Sequence, residues 1–293
     1  MKPASSSKPH KSKAPHWIVA GVFALSVLFL VLGVALDNRW WAFGALELSA
    51  ANGLILAEVL RRQSSHHERV KQQFRCLSLD LESRHRQALH LQSLVAVLQP
   101  KVPFPEFTPV AAAPDLLSHV VTAVLTRKPK LVVEFGSGMS TLAAGLALQK
   151  LGLGGRLLSI ENDADYLAAT RRLVEANGLS SIVEFRHAPL QDFKVKEGVL
   201  RWYSPQAYQD VTCADLLLVD GPYDMKCRYP ALPEFEKRLA PEALIICDDS
   251  RWPDFAEVVN RWAEEFPRWS AQNLETVRGT SILTRSAADP ASH

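Results

Sequence analysis

The stretch from Pro114 to Arg285 predicts an α/β fold with a doubly wound, mostly parallel sheet. Short runs of β-branched and large apolar residues alternate there with helical patterns, and most runs end at a glycine or an acidic residue. Two apolar segments and a long helical pattern precede it, so the sheet domain is one part of a 293-residue plan.

Residues 1–16 form a basic tail in which Lys2, Lys8, Lys11 and Lys13 stand among Ser, Pro and His, a composition that favours disorder. Trp17 to Leu36 contains no charged residue, and at ~1.5 Å per residue it reaches roughly the 30 Å of a bilayer core. This predicts a transmembrane helix; a cleaved signal peptide is the alternative, with Gly33-Val34-Ala35 as its weak cleavage site. Trp40 to Leu60 predicts a second span in spite of Glu47 and Asn52, although a carboxylate at a helix centre costs about 2.5 to 3.5 kcal/mol on insertion scales. Ala45, Ser49 and Gly53 recur every fourth residue as a small-residue face for the first helix, and Trp40 and Trp41 suit the interface. Residues 17–60 thus read as a two-helix membrane anchor turning at Asp37-Asn38-Arg39. Lysines before the first span and Arg61, Arg62, Arg69 and Lys71 after the second put both flanks on the cytoplasmic side of an inner or cytoplasmic membrane. A single span with an interfacial second helix would put the rest of the chain on the other side.

Residues 61–99 predict a helical stalk. Val70, Phe74, Leu77, Leu81, Ala88, Leu91, Val95 and Leu98 follow alternate spacings of four and three, with Arg84 as the break, the pattern of a coiled-coil seam. Such a helix would either pair two copies of the chain or fold back on the downstream domain. Pro100, Pro103 and Pro105 end it, and residues 100–113 read as a linker.

Within residues 114–285, helices are expected at Asp115 to Leu125, Met139 to Leu151, Asp163 to Asn177 and Asp254 to Glu265, the third stopping at Gly178. Strands are expected at Lys130 to Phe135, Arg156 to Ile160, Ile182 to Arg186, Asp215 to Val219 and Ala243 to Cys247. Trp269 to Leu274 and Thr280 to Thr284 read as a terminal antiparallel pair, and residues 286–293 as a tail. The organising stretch is Leu131 to Thr141, LVVEFGSGMST: a strand, a glycine turn and a helix start. Glycine lets the backbone approach a nucleotide-like ligand, and free N–H groups at the helix start can bond its polar atoms. Ligands of such sheets sit beyond the carboxyl ends of the strands, where Gly136, Glu161, His187, Asp220 and Asp248 fall.

Glu134-Phe135-Gly136-Ser137-Gly138, Glu161 closing the second strand and Val219-Asp220-Gly221-Pro222 closing the fourth resemble a class I S-adenosylmethionine-dependent methyltransferase. The resemblance covers about residues 114–285 and implies a Rossmann-like sheet of seven strands with S-adenosylmethionine across the first two strand ends. It implies that Glu134 and the Gly136, Ser137 and Gly138 backbone face the methionine part. Glu161, with Asn162 beside it, would accept from the ribose hydroxyls, and His187 and Ala188 would lie at adenine, with Asp220 closing the site. A dinucleotide-binding turn competes, but its third glycine position is occupied by Thr141, whose branching hinders close packing.

On the acceptor side, Ile245 to Trp252, IICDDSRW, is similar to a segment of metal-dependent O-methyltransferases. That likeness implies Asp220 and Asp248 as catalytic residues, and Asp220, Asp248 and Asp249 as oxygen ligands of Mg2+ or another divalent cation; Asp249 stands where that family has Asn. The bland alternative makes Asp249 a helix cap and Asp220 a lone base. Leu190 to Cys213 reads as an insertion whose Trp202, Tyr203 and Tyr208 either wall an acceptor pocket or pack over the sheet. Arg228 and Tyr229 read as anion binders or as a surface salt bridge.

A net charge of +2 argues against a nucleic-acid footprint, and Cys76, Cys213, Cys227 and Cys247 lack the spacing of a zinc site or disulfide framework. The expectation is a membrane-anchored methyltransferase facing the cytoplasm, acting by O-methylation on a small-molecule, glycan or lipid acceptor. A non-catalytic membrane scaffold with the same fold and a nicotinamide-dependent oxidoreductase are the alternatives.

Overall fold

The computed structural model describes residues 16–35, 39–108, 110–196 and 198–285; the N-terminal tail, the Asp37-Asn38 turn and the C-terminal tail lie outside them. The chain divides into two compact units, residues 1–80 and 81–293.

The first unit holds α1 (His16–Ala35) and the start of α2 (Arg39–Leu98). Asn52 Nδ2 donates to Ser26 Oγ at 3.5 Å, and a Cβ on Gly44 would just touch Phe29. The partly covered residues of α2 here are Gly44, Leu48 and Asn52, one position back from the expected Ala45, Ser49 and Gly53 stripe. Ser49 is exposed, and the Ala45 side chain is outside the description. The shift is a matter of polarity: Asn52 finds the one hydroxyl of α1, whereas Gly53 has no atom within 4 Å of where its Cβ would be. Among the described residues, no helix is long and apolar enough to cross a membrane.

α2 runs unbroken for 60 residues through the expected second span and stalk. No proline interrupts it and its single glycines are tolerable in a helix. Within a single chain most of the expected seam stays uncovered. Phe74, Leu77 and Leu81 are 64% to 67% exposed, and Ala88 and Val95 face outward. In the second unit the end of α2 packs instead through Gln87, His90, Leu91, Leu94 and Leu98. Gln87 Oε1 accepts from the Asp115 backbone N–H (3.1 Å) and His90 meets Ser118 Oγ (3.0 Å), so polar partners at the start of the next helix select this face over the apolar seam.

The rest of the second unit comprises α3 (Pro114–Arg127), β1 (Leu131–Phe135), α4 (Met139–Leu151), β2 (Arg156–Glu161), α5 (Ala164–Ala176) and β3 (Val183–His187). There follow β4 (Leu190–Val195), β5 (Gly198–Tyr203), β6 (Ala214–Val219), α6 (Ala231–Phe235), β7 (Leu239–Cys247), α7 (Pro253–Glu265), β8 (Trp269–Leu274) and β9 (Thr280–Arg285). One seven-stranded sheet runs β3-β2-β1-β6-β7-β9-β8, parallel except for β9, which is antiparallel to both neighbours. Chain order reverses between β1 and β6, where a cleft opens beyond the strand ends. Val132, Val133 and Phe135 of β1 have no exposed surface, as expected of a central strand covered on both faces.

One face packs under α3, α4 and α5 with Leu94 and Leu98 of α2; the other packs under α6 and α7. Most of the expected insertion is a second, two-stranded antiparallel sheet, β4 with β5, whose Trp202 and Tyr203 bury on that second face.

Candidate active site

The site starts with two backbone contacts. Gly136 N donates to Ile160 O and Asp220 N to Phe135 O, both at 2.9 Å, so the ends of β2, β1 and β6 lie side by side. Gly136 has φ +94°, and a Cβ there would come within 2.9 Å of the Asp220 carbonyl carbon. Gly136 is therefore glycine because another loop's backbone occupies its side-chain space. Gly138 is the opposite case, with no atom within 4 Å of where its Cβ would be. The open space lies over the turn, at the start of α4.

Beneath the turn Glu134 is fully buried, and its Oε2 accepts from Thr141 Oγ1 and from Ser159 Oγ (2.8 Å). Burial pushes the Glu134 carboxyl up to about 7, against the downward pull of the Ser140, Thr141 and Ser159 hydroxyls. Glu134 thus sits under the turn and braces it. Thr141 Oγ1 also accepts from Gly138 N at 2.8 Å, so the residue in the third glycine position of a dinucleotide fingerprint acts here as a polar tie.

Glu161 lies at the end of β2, 7% exposed. Its Oε2 accepts from Ser137 N (2.8 Å), and its Oε1 from Asn162 N (2.7 Å) and Asp163 N (2.8 Å). One carboxylate therefore binds the turn after β1 to the loop after β2, with one lone-pair site of Oε2 left for a ligand. These bonds fit the expected role of an anion at a helix start. Asp163 caps α5 through Asp165 N and Tyr166 N. His187 is exposed with Nε2 3.0 Å from Asn162 O, whereas Ala188 is buried and its N–H donates to Glu161 O at 2.8 Å.

Across the cleft, one carboxylate oxygen each of Asp220, Asp248 and Asp249 lie within 4.8 Å of one another. Arg228, 2% exposed, is inserted among them. Its Nη2 is 3.1 Å from Asp249 Oδ2 and 3.8 Å from Asp220 Oδ1. It also donates to the carbonyls of Pro222 (2.9 Å), Asp220 (3.1 Å) and Asp248 (3.3 Å), with its guanidinium 5.4 Å from the Phe255 ring centre. Arg278 Nη1 stands 3.6 Å from Asp248 Oδ2 and 3.7 Å from Asp249 Oδ1. Burial raises the Asp220 carboxyl, with Arg228 opposing; burial and the two neighbouring aspartates raise Asp248. Asp249 has φ +67°, a left-handed conformation that Asp and Asn tolerate better than most residues.

Arg228 is thus neither an anion-binding surface residue nor half of a surface pair, since buried carboxylates and carbonyls engage its guanidinium. Tyr229 is also buried; its hydroxyl donates to Glu265, and Arg261 lies 3.8 Å over its ring. Trp202, Tyr203 and Tyr208 take the packing role, with ring centres 4.6, 5.0 and 5.7 Å from Phe135. One atom of this aromatic group reaches the site. The Tyr203 hydroxyl, on a residue 1% exposed, has no hydrogen-bond partner among the described residues, and a Cβ on Gly221 would collide with it. The signal available in the sequence was the glycine after Asp220, which marks a close approach without saying by what.

Residues 133–250 match a family model described as a methyltransferase domain. No curated protein matches the chain. Similar solved structures include a methyltransferase from Geobacter sulfurreducens, 16% identical, covering 63% of this chain and 91% of its own, with a TM-score of 0.48. An O-methyltransferase from Bacillus cereus in complex with SAH is 20% identical over 68% of this chain and 90% of its own, with a TM-score of 0.46. The SAH-bound Podospora anserina methyltransferase PaMTH1 is 16% identical over 69% and 88%, with a TM-score of 0.49. By that family model residues 133–250 are a methyltransferase domain, the class of domain that the strand-end motifs implied.

Proposed function

We propose that the protein O-methylates a hydroxyl-bearing acceptor close to a membrane surface. The observation that carries this reading is the contact of the Asp220 backbone with Gly136: it holds at the edge of the glycine turn a residue whose carboxyl has a raised proton affinity. The space over Gly138 fits a cofactor, with Glu161 at one end and Asp220 at the other. Bound S-adenosylmethionine would supply an electrophilic methyl group on a cationic sulfur. Ser137 and Gly138 would present the turn, Glu161 would hold the ribose, and Ala188 would line the adenine end. Asp220, 19% exposed at its side chain, would take the proton of the acceptor hydroxyl, for which a pKa above the usual carboxylate range is suited. Asp248 and Arg228 would set the charge around it.

The three aspartates do not favour a divalent ion. Their negative charge is already offset by two guanidiniums, one of them buried in their midst. S-adenosylhomocysteine is expected to bind the full chain in preference to NADH by calorimetric titration, with methyl transfer unchanged within about twofold after chelation. Tighter NADH binding would sink the cofactor reading, and activity that vanishes with a chelator and returns with magnesium would restore the metal.

The anchor reading rests on the uncharged run Trp17 to Leu36, on its helical form in α1, and on Phe23, Leu28, Leu30 and Val31 standing more than half exposed. The flanking basic residues favour a catalytic domain on the cytoplasmic side, and Phe74, Leu77 and Leu81 form the surface through which two copies would pair. The full chain is expected to float with phospholipid vesicles; recovery in the soluble fraction would count against the membrane association.

A further inference from the structure

Tyr203 ends β5 of the inserted hairpin, a part of the chain that the strand-end motifs do not involve. Its ring is fixed between Phe135 and Trp202, with ring centres 5.0 Å away in each case. Its hydroxyl is a buried donor without an acceptor, an arrangement that costs stability unless something else completes it. The hydroxyl's position is specified by the chain, because Gly221 leaves the volume it occupies and any larger residue there would evict it. The point it reaches is the junction of the Gly136 turn with the Asp220 loop. The charged groups facing it are Glu161, Arg228, Asp220 and Glu134, of which Glu161 acts most strongly, and burial holds the phenol protonated.

We propose that Tyr203 is a cofactor-binding residue whose hydroxyl donates a hydrogen bond to a ribose hydroxyl of the nucleoside held at Glu161, beside the Gly136 turn. The surrounding charge selects that group. A carboxylate placed among Glu161, Asp220 and Glu134 would be repelled, whereas a ribose hydroxyl can accept from a phenol and donate to Glu161 with the same oxygen. The inserted hairpin thereby contributes to cofactor recognition. The inference rests on the reading of the turn as an S-adenosylmethionine site.

Tyr203→Phe separates the two ideas, because it removes the hydroxyl and leaves the ring packing in place. S-adenosylhomocysteine is expected to bind the variant about tenfold more weakly by calorimetry, while the ligand-free thermal midpoint stays the same or rises. A purely structural role would lower the midpoint. The 2′-deoxy and 3′-deoxy analogues add a cycle: one of them should bind the wild type more weakly yet lose little further on Tyr203→Phe. Equal affinity of wild type and variant for S-adenosylhomocysteine, or fully additive losses with both analogues, would overturn the inference. Absence of binding to the wild type would instead overturn the reading beneath it, and the inference with it.

Discussion

Glu161→Ala is expected to weaken S-adenosylhomocysteine binding by roughly a hundredfold or more, and to abolish crosslinking of tritiated S-adenosylmethionine. A hydrogen bond to a charged group contributes about 1.5 to 3 kcal/mol, so one such bond from a ribose hydroxyl brings the loss close to the ~2.7 kcal/mol that a hundredfold requires, and the loosened turn supplies the rest. Alanine also removes the acceptor for Ser137 N, Asn162 N and Asp163 N, so part of the loss would come from a loosened turn. Glu161→Gln divides the contributions. It keeps an amide oxygen of the same shape for some of these donors and loses the charge, so its ligand-free midpoint should fall less than that of the alanine variant while its affinity still drops at least tenfold. Undiminished labelling of Glu161→Ala would remove this residue from the site.

The largest effect on stability is expected at Arg228. Arg228→Met keeps much of the side-chain volume but removes a buried cation from among three carboxylates, and breaking a buried pair by deleting one partner costs about 3 to 5 kcal/mol. Set against a total of roughly 5 to 15 kcal/mol, that is a large share. The loss should depend on pH with a definite sign. Without the guanidinium the aspartates' folded-state proton affinity rises further above its unfolded value, so the folded state binds more protons than the unfolded one and stability falls as pH rises through that window. The deficit should therefore shrink toward pH 4 to 5 and be full above neutrality. Any residual activity should have its rising pH limb moved upward, because Asp220 must lose its proton to act as a base. Urea denaturation at several pH values measures the first effect; an equal deficit at acid and alkaline pH would contradict the ion-pair account.

Strand ends were legible because they combine two local signals. Phe135 before Gly136, Ile160 before Glu161 and Val219 before Asp220 each close an apolar run with a residue that cannot continue it, and parallel pairing then brings those residues to one edge. The covered face of α2 was harder to read. Its apolar periodicity at Phe74, Leu77 and Leu81 is real, but Gln87 and His90 find partners 28 residues away in sequence, and no periodicity rule anticipates those bonds. Arg228 illustrates a different limit. An arginine in a loop after a strand is usually solvated, and its burial is set by carboxylates and carbonyls at the ends of two strands that only the tertiary fold assembles. The β4–β5 hairpin was hidden for a local reason, since its strands carry Asp192, Lys194 and Arg201 and meet at a turn without the usual Asn-Gly signal.

The mutual approach of Gly136 and the Asp220-Gly221 backbone has a thermodynamic corollary. No deformable side chain separates the two loops, so an acceptor that displaces Asp220 also displaces the floor on which the nucleoside rests. Occupancy of the two half-sites would then be linked by a single free energy, equal in both directions, that traces to the absence of two methyl groups.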